Sequence, residues 1–297
     1  MASAITRRLD RSAPHSLFHG SCLALAEDLL QTEPTGRVLK GESGRYRVGE
    51  ALGHGGMATV HRALTLTERR LVAIKFSRLE VDREVALELA RREAACLRRI
   101  AHPAVVRLLD VVDDPCHPAL VLEHIEGPTL REFLDGGEVQ AVGTIFLRLL
   151  QAIAACHEAG VIHGDIKPQN VLLRGPLDPV LIDFGIANTA DRRPALRTRG
   201  HTPRYAAPEQ LAGGDATPAS DVFQLGVLCF ELLTGRRPHR HACGRVAQSI
   251  AFPRGLPRRL RRLLKRALDP APGRRFESAG ALLDALSPNC RSVRLGS

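Results

Sequence analysis

No run of about 18 uninterrupted apolar residues occurs in this chain, so no segment reads as a transmembrane helix. The N-terminus also reads as a poor signal peptide. Arg7 and Arg8 are followed by only a short apolar core, Leu23–Ala26, and then by Glu27 and Asp28. A cytoplasmic location is the expectation. Cys-x-x-Cys pairs are absent, and the seven cysteines, an odd number, are scattered from Cys22 to Cys290. That spacing excludes a disulfide framework or a zinc knuckle and leaves reduced thiols packed as small hydrophobes. Aromatic residues make up only 4% and do not interleave with basic ones, which argues against nucleic-acid binding despite a net charge of +10. Lysine is scarce: of 42 Lys and Arg residues only Lys40, Lys75, Lys167 and Lys265 are lysines. So strong a bias reads as a coding preference for Arg, and it draws attention to the lysines that remain. Two of them fall in motifs where a compact ammonium suits a phosphate.

What is present is a globular composition, with 44% hydrophobic and 25% charged residues. The 297 residues are enough for one large domain or two lobes around a cleft. Residues 1–44 mix Arg, Ser, Pro, Gly and Thr around one apolar patch, Leu23 to Leu30, and read as a flexible arm with at most one amphipathic helix. From Tyr46 the pattern changes. Strands are predicted at Tyr46–Leu52, Thr59–Ala63 and Leu71–Phe76, a helix over 83–100, and strands at Val105–Val112 and Ala119–His124. Gly127 marks a joint, with a hinge near 123–127. Beyond it the chain turns helical: Val142–Ala159 is amphipathic, Asp221–Thr234 is apolar nearly all round, and Leu256–Leu268 and Ser278–Leu286 follow. A small sheet-rich part therefore precedes a larger helical part.

Four motifs carry chemistry. Leu52 to Val60 (LGHGGMATV) is a Gly-rich turn between two strands, where glycines let backbone N–H groups approach a polyphosphate. No helix follows it and no Gly-Lys-Ser/Thr ends it, so it is neither a dinucleotide fingerprint nor a Walker loop. Val72-Ala73-Ile74-Lys75 puts an ammonium inside an apolar strand. His163 to Asn170 (HGDIKPQN) sets a carboxylate, an ammonium and a carboxamide at short intervals in one loop. Such a loop can offer a base to a hydroxyl, a cation to a phosphoryl group and an oxygen to Mg²⁺. Leu181 to Gly185 (LIDFG) ends an apolar strand in an Asp that can hold another face of the metal.

In this order these motifs resemble the signatures of the eukaryotic-like (Hanks-type) Ser/Thr protein kinases of bacteria. The resemblance runs from about Arg45 to Leu286 and includes Tyr205-Ala206-Ala207-Pro208-Glu209-Gln210, Ser220 to Gly226, and Arg274-Arg275-Phe276. It implies an α+β, two-lobed protein-kinase fold. The kinase domain would span 45–287, with a sheet-rich N-lobe at 45–124, a helical C-lobe at 128–287 and a short tail at 288–297. It also implies transfer of the γ-phosphate of ATP, with Mg²⁺ (or Mn²⁺), to Ser or Thr hydroxyls of protein substrates, with autophosphorylation.

Roles follow by resemblance. Leu52, Gly53, Gly55, Gly56, Val60, Ala73, Leu122, Glu123 and Ile125 would surround ATP. Lys75 would pair the α- and β-phosphates, held by a helix Glu. Glu84, Glu88 and Glu93 are candidates, and Arg91-Arg92-Glu93-Ala94 before His102-Pro103 favours Glu93. Asp165 would orient or deprotonate the substrate hydroxyl, Lys167 would steady the γ-phosphate, and Asn170 and Asp183 would bind the metal. Thr202 favours Ser/Thr over Tyr, and Thr198 is the candidate autophosphorylation site. Glu209 would form a buried ion pair with Arg275 or Arg274, and Asp221 would brace the catalytic loop. His163 reads as a packed core residue.

The sequence departs from the pattern at Gly164, where many protein kinases carry an arginine that pairs with a phosphorylated activation segment. Arg192, Arg193, Arg197, Arg199 and Arg204 are alternative partners for phosphate. His-Gly-Asp also occurs in small-molecule kinases of the aminoglycoside phosphotransferase type, which is one rival reading. A pseudokinase scaffold is the other, opposed by the full set Lys75, Asp165, Asn170 and Asp183. Substrate, activator and oligomeric state are not legible in the sequence.

Overall fold

The computed structural model describes residues 36–54, 58–77, 83–113, 118–137, 142–189, 203–239, 252 and 255–287. Gly55, Gly56, Thr198, Thr202, Arg192, Arg193, Arg197 and Arg199 lie outside the described residues, as do 1–35 of the arm and 288–297 of the tail.

The N-terminal part is an antiparallel sheet of six strands. These are β1 (Val38–Lys40), β2 (Arg45–His54), β3 (Ala58–Thr65), β4 (Leu71–Ser77), β5 (Leu108–Val112) and β6 (Ala119–Glu123), in the order β1-β2-β3-β4-β6-β5. Helix α1 (Arg83–Arg98) lies between β4 and β5 in sequence and packs on β4, β5 and β6. The alternation along β4 sets the two faces of the sheet. Val72, Ile74 and Phe76 join Leu39, Tyr46, Ala63, Val112, Ala119 and Val121 in a small outer core. Ala73 points the other way, into the main core with Leu120 and Leu122. Lys75 shares that face by its period of two, and the register aligns it with Val60 on β3 and Leu120 on β6.

The sheet begins before the domain boundary expected at Arg45, because β1 already pairs with β2 through Leu39 and Tyr46. Leu39 is almost wholly buried. The Tyr46 hydroxyl donates to Asp110 Oδ2 on β5 at 2.7 Å, and Ser43 N–H reaches the same oxygen at 2.9 Å. One buried carboxylate thus ties the start of the sheet to its far edge.

The chain crosses to the helical part through Gly127, whose φ of +150° is a conformation that L side chains rarely adopt. A Cβ there would stand 1.9 Å from the Leu173 carbonyl oxygen, so only glycine fits this joint. Seven further elements of the helical part follow: α2 (Leu130–Asp135), α3 (Val142–Glu158), strands β7 (Val161–Ile162), β8 (Val171–Gly175), β9 (Asp178–Leu181) and β10 (Asn188–Thr189), and α4 (Pro208–Leu211). Among the described residues, the helices α5 (Pro218–Thr234), α6 (Arg258–Ala267) and α7 (Ala279–Leu286) come after these. Helix α2 was not foreseen. A capping box of Thr129 and Glu132 starts it, a signal only six residues from its end. The strand expected from Val105 starts instead at Leu108, since Val105 leaves the sheet to bridge Leu181. Helix α5 starts ahead of Asp221, at Pro218, capped by the Thr217 side chain. Residues of α1, α3, β8, β9, α5, α6 and α7 contribute to one continuous core.

Candidate active site

The site lies where the sheet, α1 and the β7–β9 region meet. Lys75 Nζ is 2.6 Å from Glu93 Oε1 and 2.9 Å from Glu93 Oε2. The same ammonium is 2.6 Å from Asp183 Oδ1. Glu93 is therefore the helix glutamate at Lys75. Glu88 instead accepts from Arg92 at 2.8 Å one turn along the helix. The Glu93 carboxylate also accepts from the Phe184 N–H at 3.0 Å, which links α1 to the Asp-Phe-Gly segment.

One ammonium is thus shared by two carboxylates. Burial opposes the charge on Lys75, but Glu93 and Asp183 outweigh it and hold the ammonium charged. The Lys75 charge pulls Asp183 down to about 2, so it stays ionised at neutral pH. Glu93 moves upward: it is buried, and a second carboxylate competes for its cation. Asp183 has φ +64°, a left-handed conformation uncommon for any residue but glycine. A Cβ on Gly185 would lie 3.2 Å from Asp183 Oδ1 and 3.4 Å from Lys75 Nζ, so the glycine keeps this triad open. Phe184 is wholly buried, edge-on to His163 with ring centroids 4.8 Å apart. His163 itself is buried in the core.

The second cluster is local. Lys167 Nζ donates to Asp165 Oδ2 at 2.6 Å. Asn170 Nδ2 donates to the Asp165 carbonyl at 2.9 Å and to Asp165 Oδ2 at 3.1 Å. Using its NH₂ group this way leaves the Asn170 carbonyl oxygen to act as an acceptor or ligand. The loop backbone is held just as closely. His163 N–H and Gly164 N–H donate to the two oxygens of Asp221, at 2.9 and 2.7 Å. Ile166 N–H donates to Gln224 Oε1 at 2.7 Å. His157 Nδ1 accepts from Ala279 N–H at 3.0 Å, so its Nε2–H is the donor to Asp221 Oδ2 at 3.0 Å. Neither His157 nor Gln224 was singled out from the sequence. For Gln224 the available signal was a polar residue in an otherwise apolar helix, a signal that Glu231 in α5 gives as well; His157, in the amphipathic α3, gave none.

The segment that ends in α4 is fastened twice. Arg275 donates to Glu209 Oε1 and Oε2 at 2.7 and 2.8 Å. Its other donors go to the carbonyls of Asp269, Ala219 and Pro270, so this buried guanidinium is fully satisfied. Arg274 beside it is exposed. Burial alone would raise Glu209, but hydrogen bonds from Arg275 and Ser220 outweigh it and hold it down. A second cluster, also unforeseen, joins Arg131 of α2, Tyr205 and Glu231. Arg131 Nη2 is 2.6 Å from Glu231 Oε1, and the Tyr205 hydroxyl is 2.5 Å from Glu231 Oε2.

On the sheet side, Ala73, Leu122 and Ile125 are buried, Val60 is half-buried, and Leu52 is exposed. Glu123 accepts from the Arg107 N–H and from Arg174, so its side chain faces away from any nucleotide role. Its backbone remains at the joint. Beyond its chain neighbours, a Cβ on Gly53 would meet no atom of the described residues within 4 Å. Among the described residues no three His, Cys, Asp or Glu converge as a closed metal site. The donors present, the Asn170 carbonyl and the Asp183 carboxylate, are hard oxygens. They suit a divalent cation that takes water and substrate phosphate as its remaining ligands.

A family model described as the protein kinase domain matches residues 46–285. The serine/threonine-protein kinase PknL of Mycobacterium tuberculosis is 40% identical over 218 residues, 71% of this chain and 53% of the relative. PkaA of Streptomyces coelicolor is 32% identical over 285 residues, covering 85% of this chain and 52% of its own length. PrkC of Bacillus subtilis is 31% identical over 254 residues, covering 80% and 39%. The chain spans about half the length of the first two relatives. No helix among the described residues is long and apolar enough to cross a membrane.

Proposed function

The chain belongs to the protein kinase domain family, and from that premise we propose that it phosphorylates Ser or Thr hydroxyls of protein substrates with Mg·ATP. The observation that carries this reading is the meeting of Lys75, Glu93 and Asp183 from three separate elements beside the Asp165–Lys167–Asn170 loop. A pseudokinase lacks part of that set. The fastened Tyr205–Gln210 segment favours a protein substrate over a small molecule, since it gives a rigid shelf beside the loop. The relatives' printed descriptions as serine/threonine-protein kinases point the same way.

In this reading Lys75 binds the α- and β-phosphates, with Glu93 preventing the ammonium from swinging away. Gly53, with Gly55 and Gly56, covers the phosphates. Val60, Ala73 and Leu122 form the apolar walls of the adenine site, Leu52 closes its edge, and the backbone of Glu123 to Ile125 meets the adenine edge. Asp165 accepts the proton of the substrate hydroxyl, or orients it, as the oxygen attacks the γ-phosphorus. Lys167 neutralises charge on the transferring group. Asn170 and Asp183 would hold Mg²⁺, which when bound draws charge from the phosphate oxygens. The domain works where Mg·ATP is abundant, which fits a cytoplasmic site of action. The test is incubation with γ-labelled ATP and a generic protein substrate, followed by mapping of the labelled residues. Label on Ser and Thr, absent with Asp165→Asn, is the expected result. Label on a small molecule alone would favour the aminoglycoside-phosphotransferase type.

A further inference from the structure

Two buried glutamines meet on the peptide groups that flank Asp165. Gln224 Nε2 donates to the Gly164 carbonyl at 2.7 Å, and Gln210 Nε2 donates to the same oxygen at 2.9 Å. Gln224 Oε1 accepts from Ile166 N–H at 2.7 Å, and Gln210 Oε1 accepts from Ala207 N–H at 2.9 Å. The amides also bond to each other, Gln224 Nε2 to Gln210 Oε1, at 2.9 Å. Their orientation follows from the partners. Ile166 N–H and Ala207 N–H can only donate and the Gly164 carbonyl can only accept, so neither amide can be flipped without leaving buried groups unpaired.

The cost of such a network is plain. Gln224 is wholly buried and Gln210 is 3% exposed, and the Gln224 neighbours on α5, Phe223, Leu225 and Val227, are buried as well. A buried amide is tolerated only when its bonds are made, and here each terminates on the loop or on the segment beside it. The helix geometry explains the reach. Asp221 and Gln224 stand three residues apart on α5 and so share a face. Asp221 takes the N–H of Gly164, and Gln224 takes its C=O and the next N–H but one. Gly164 has φ +79°, and a Cβ there would come within 3.3 Å of the Ala216 Cβ. The residue before Asp165 thus contributes only its backbone, gripped from both sides.

We propose that Gln224, with Gln210 as its partner, is a positioning residue for Asp165. The amide pair fixes the two peptide groups on either side of the carboxylate and couples them to the end of the activation segment through neutral hydrogen bonds. This rests on the reading of Asp165 as the residue that handles the substrate hydroxyl. Removing the pair leaves Asp165 present but misdirected, so the loss falls on turnover and not on nucleotide binding.

The experiment is steady-state kinetics of the full chain on a generic protein substrate, with thermal unfolding measured in parallel. Gln224→Ser is too short to span the gap. It is expected to lower kcat about 10- to 100-fold while KM for ATP stays within about twofold. Gln224→Glu sharpens the test. Ionised, it sets a carboxylate oxygen against the Gly164 carbonyl; protonated, it can donate again. Burial raises a carboxyl's pKa, so the activity of this variant relative to wild type should climb as pH falls from about 8 to 6. For Gln224→Ser the ratio should stay flat. A folded Gln224→Ser protein with wild-type kcat would overturn the proposal. So would a loss that merely tracks the unfolded fraction. Should both variants fail to fold, Gln210→Ala decides, with an expected loss of about 3- to 10-fold because Gly164 retains one donor; an unchanged kcat there overturns the proposal. An inactive wild type would instead sink the kinase reading itself.

Discussion

The two halves of the site are held in opposite ways. Lys75, Glu93 and Asp183 come from a strand, a helix and a post-strand turn, and full charges hold them together. Asp165, Lys167 and Asn170 lie within six residues of one another, on a loop whose backbone is clamped by Asp221, Gln224 and Gln210. The first cluster can exist only while the sheet, α1 and the Asp-Phe-Gly turn stand in one arrangement. The second is preassembled by the helical core whatever the sheet does. In the proposed reading, a shift of α1 would loosen the grip of Lys75 on a nucleotide and leave the Asp165 loop in place.

The largest effect should come from the local half. Asp165→Asn is expected to cut phosphoryl transfer by about 10²–10⁴-fold and leave ATP affinity nearly unchanged. Initial rates with an ATP-binding titration check this, and a matched loss of binding would show that the two halves are not separable. Lys75→Arg should be nearly as damaging as Lys75→Met, each about 10²-fold, because the guanidinium keeps the charge but not the compact shape that two carboxylates share here. In Lys75→Met the Asp183 carboxyl should also titrate well above its wild-type value of about 2, since the cation that depresses it is gone. In the wild type the stabilisation from that ionised carboxylate holds above pH 4 and is lost as pH falls toward about 2. Carboxyl NMR titration would show an unmoved value if Lys75 were not the cause.

Arg275→Ala tests a third kind of cluster, a buried guanidinium with all its donors used, paired to a half-buried Glu209. It should destabilise the fold by about 3–5 kcal/mol through the stranded Glu209 charge, with turnover per folded molecule largely kept. Denaturant melts would contradict this if the midpoint barely moved. Glu93→Gln should cost about tenfold in rate, milder than loss of Lys75 because the amide can still reach Lys75 and Phe184 N–H. If Glu88→Gln were the damaging change instead, the pairing at Lys75 would be misassigned. The smallest effect is expected at Thr198. With no side chain on Gly164, a phosphate on Thr198 would be left to the arginines near it in sequence. Exposed pairs contribute about 0–1 kcal/mol, so Thr198→Ala should keep at least about a tenth of wild-type activity. A loss of several hundredfold, matched by phosphatase-treated wild type, would reveal a strong phosphate receiver elsewhere.

Much of the loop cluster is legible in the sequence. Asp165, Lys167 and Asn170 are close in sequence, and a short loop leaves them little choice but to meet. Lys75 and Asp183 stood out too, as an ammonium inside one apolar strand and a carboxylate just past the end of another. The choice among the α1 glutamates was less legible. Glu88 and Glu93 are five residues apart and so about 140° apart around a helix, and only the packing of α1 on β4, β5 and β6 decides which faces Lys75. Likewise Arg274 and Arg275 are neighbours in sequence, and burial alone selects Arg275.

By itself, then, the sequence determined the family, most of the longer elements and the candidate reacting groups, because those signals sit within a turn or a strand of one another. The tertiary structure decided the supports: Leu39 in the sheet, Arg131 and Tyr205 on Glu231, His157 on Asp221, and the two glutamines on the Gly164 carbonyl. Each joins residues tens of positions apart. A polar side chain in an apolar helix announces that it must have a partner, but only the packed fold brings that partner within hydrogen-bonding distance.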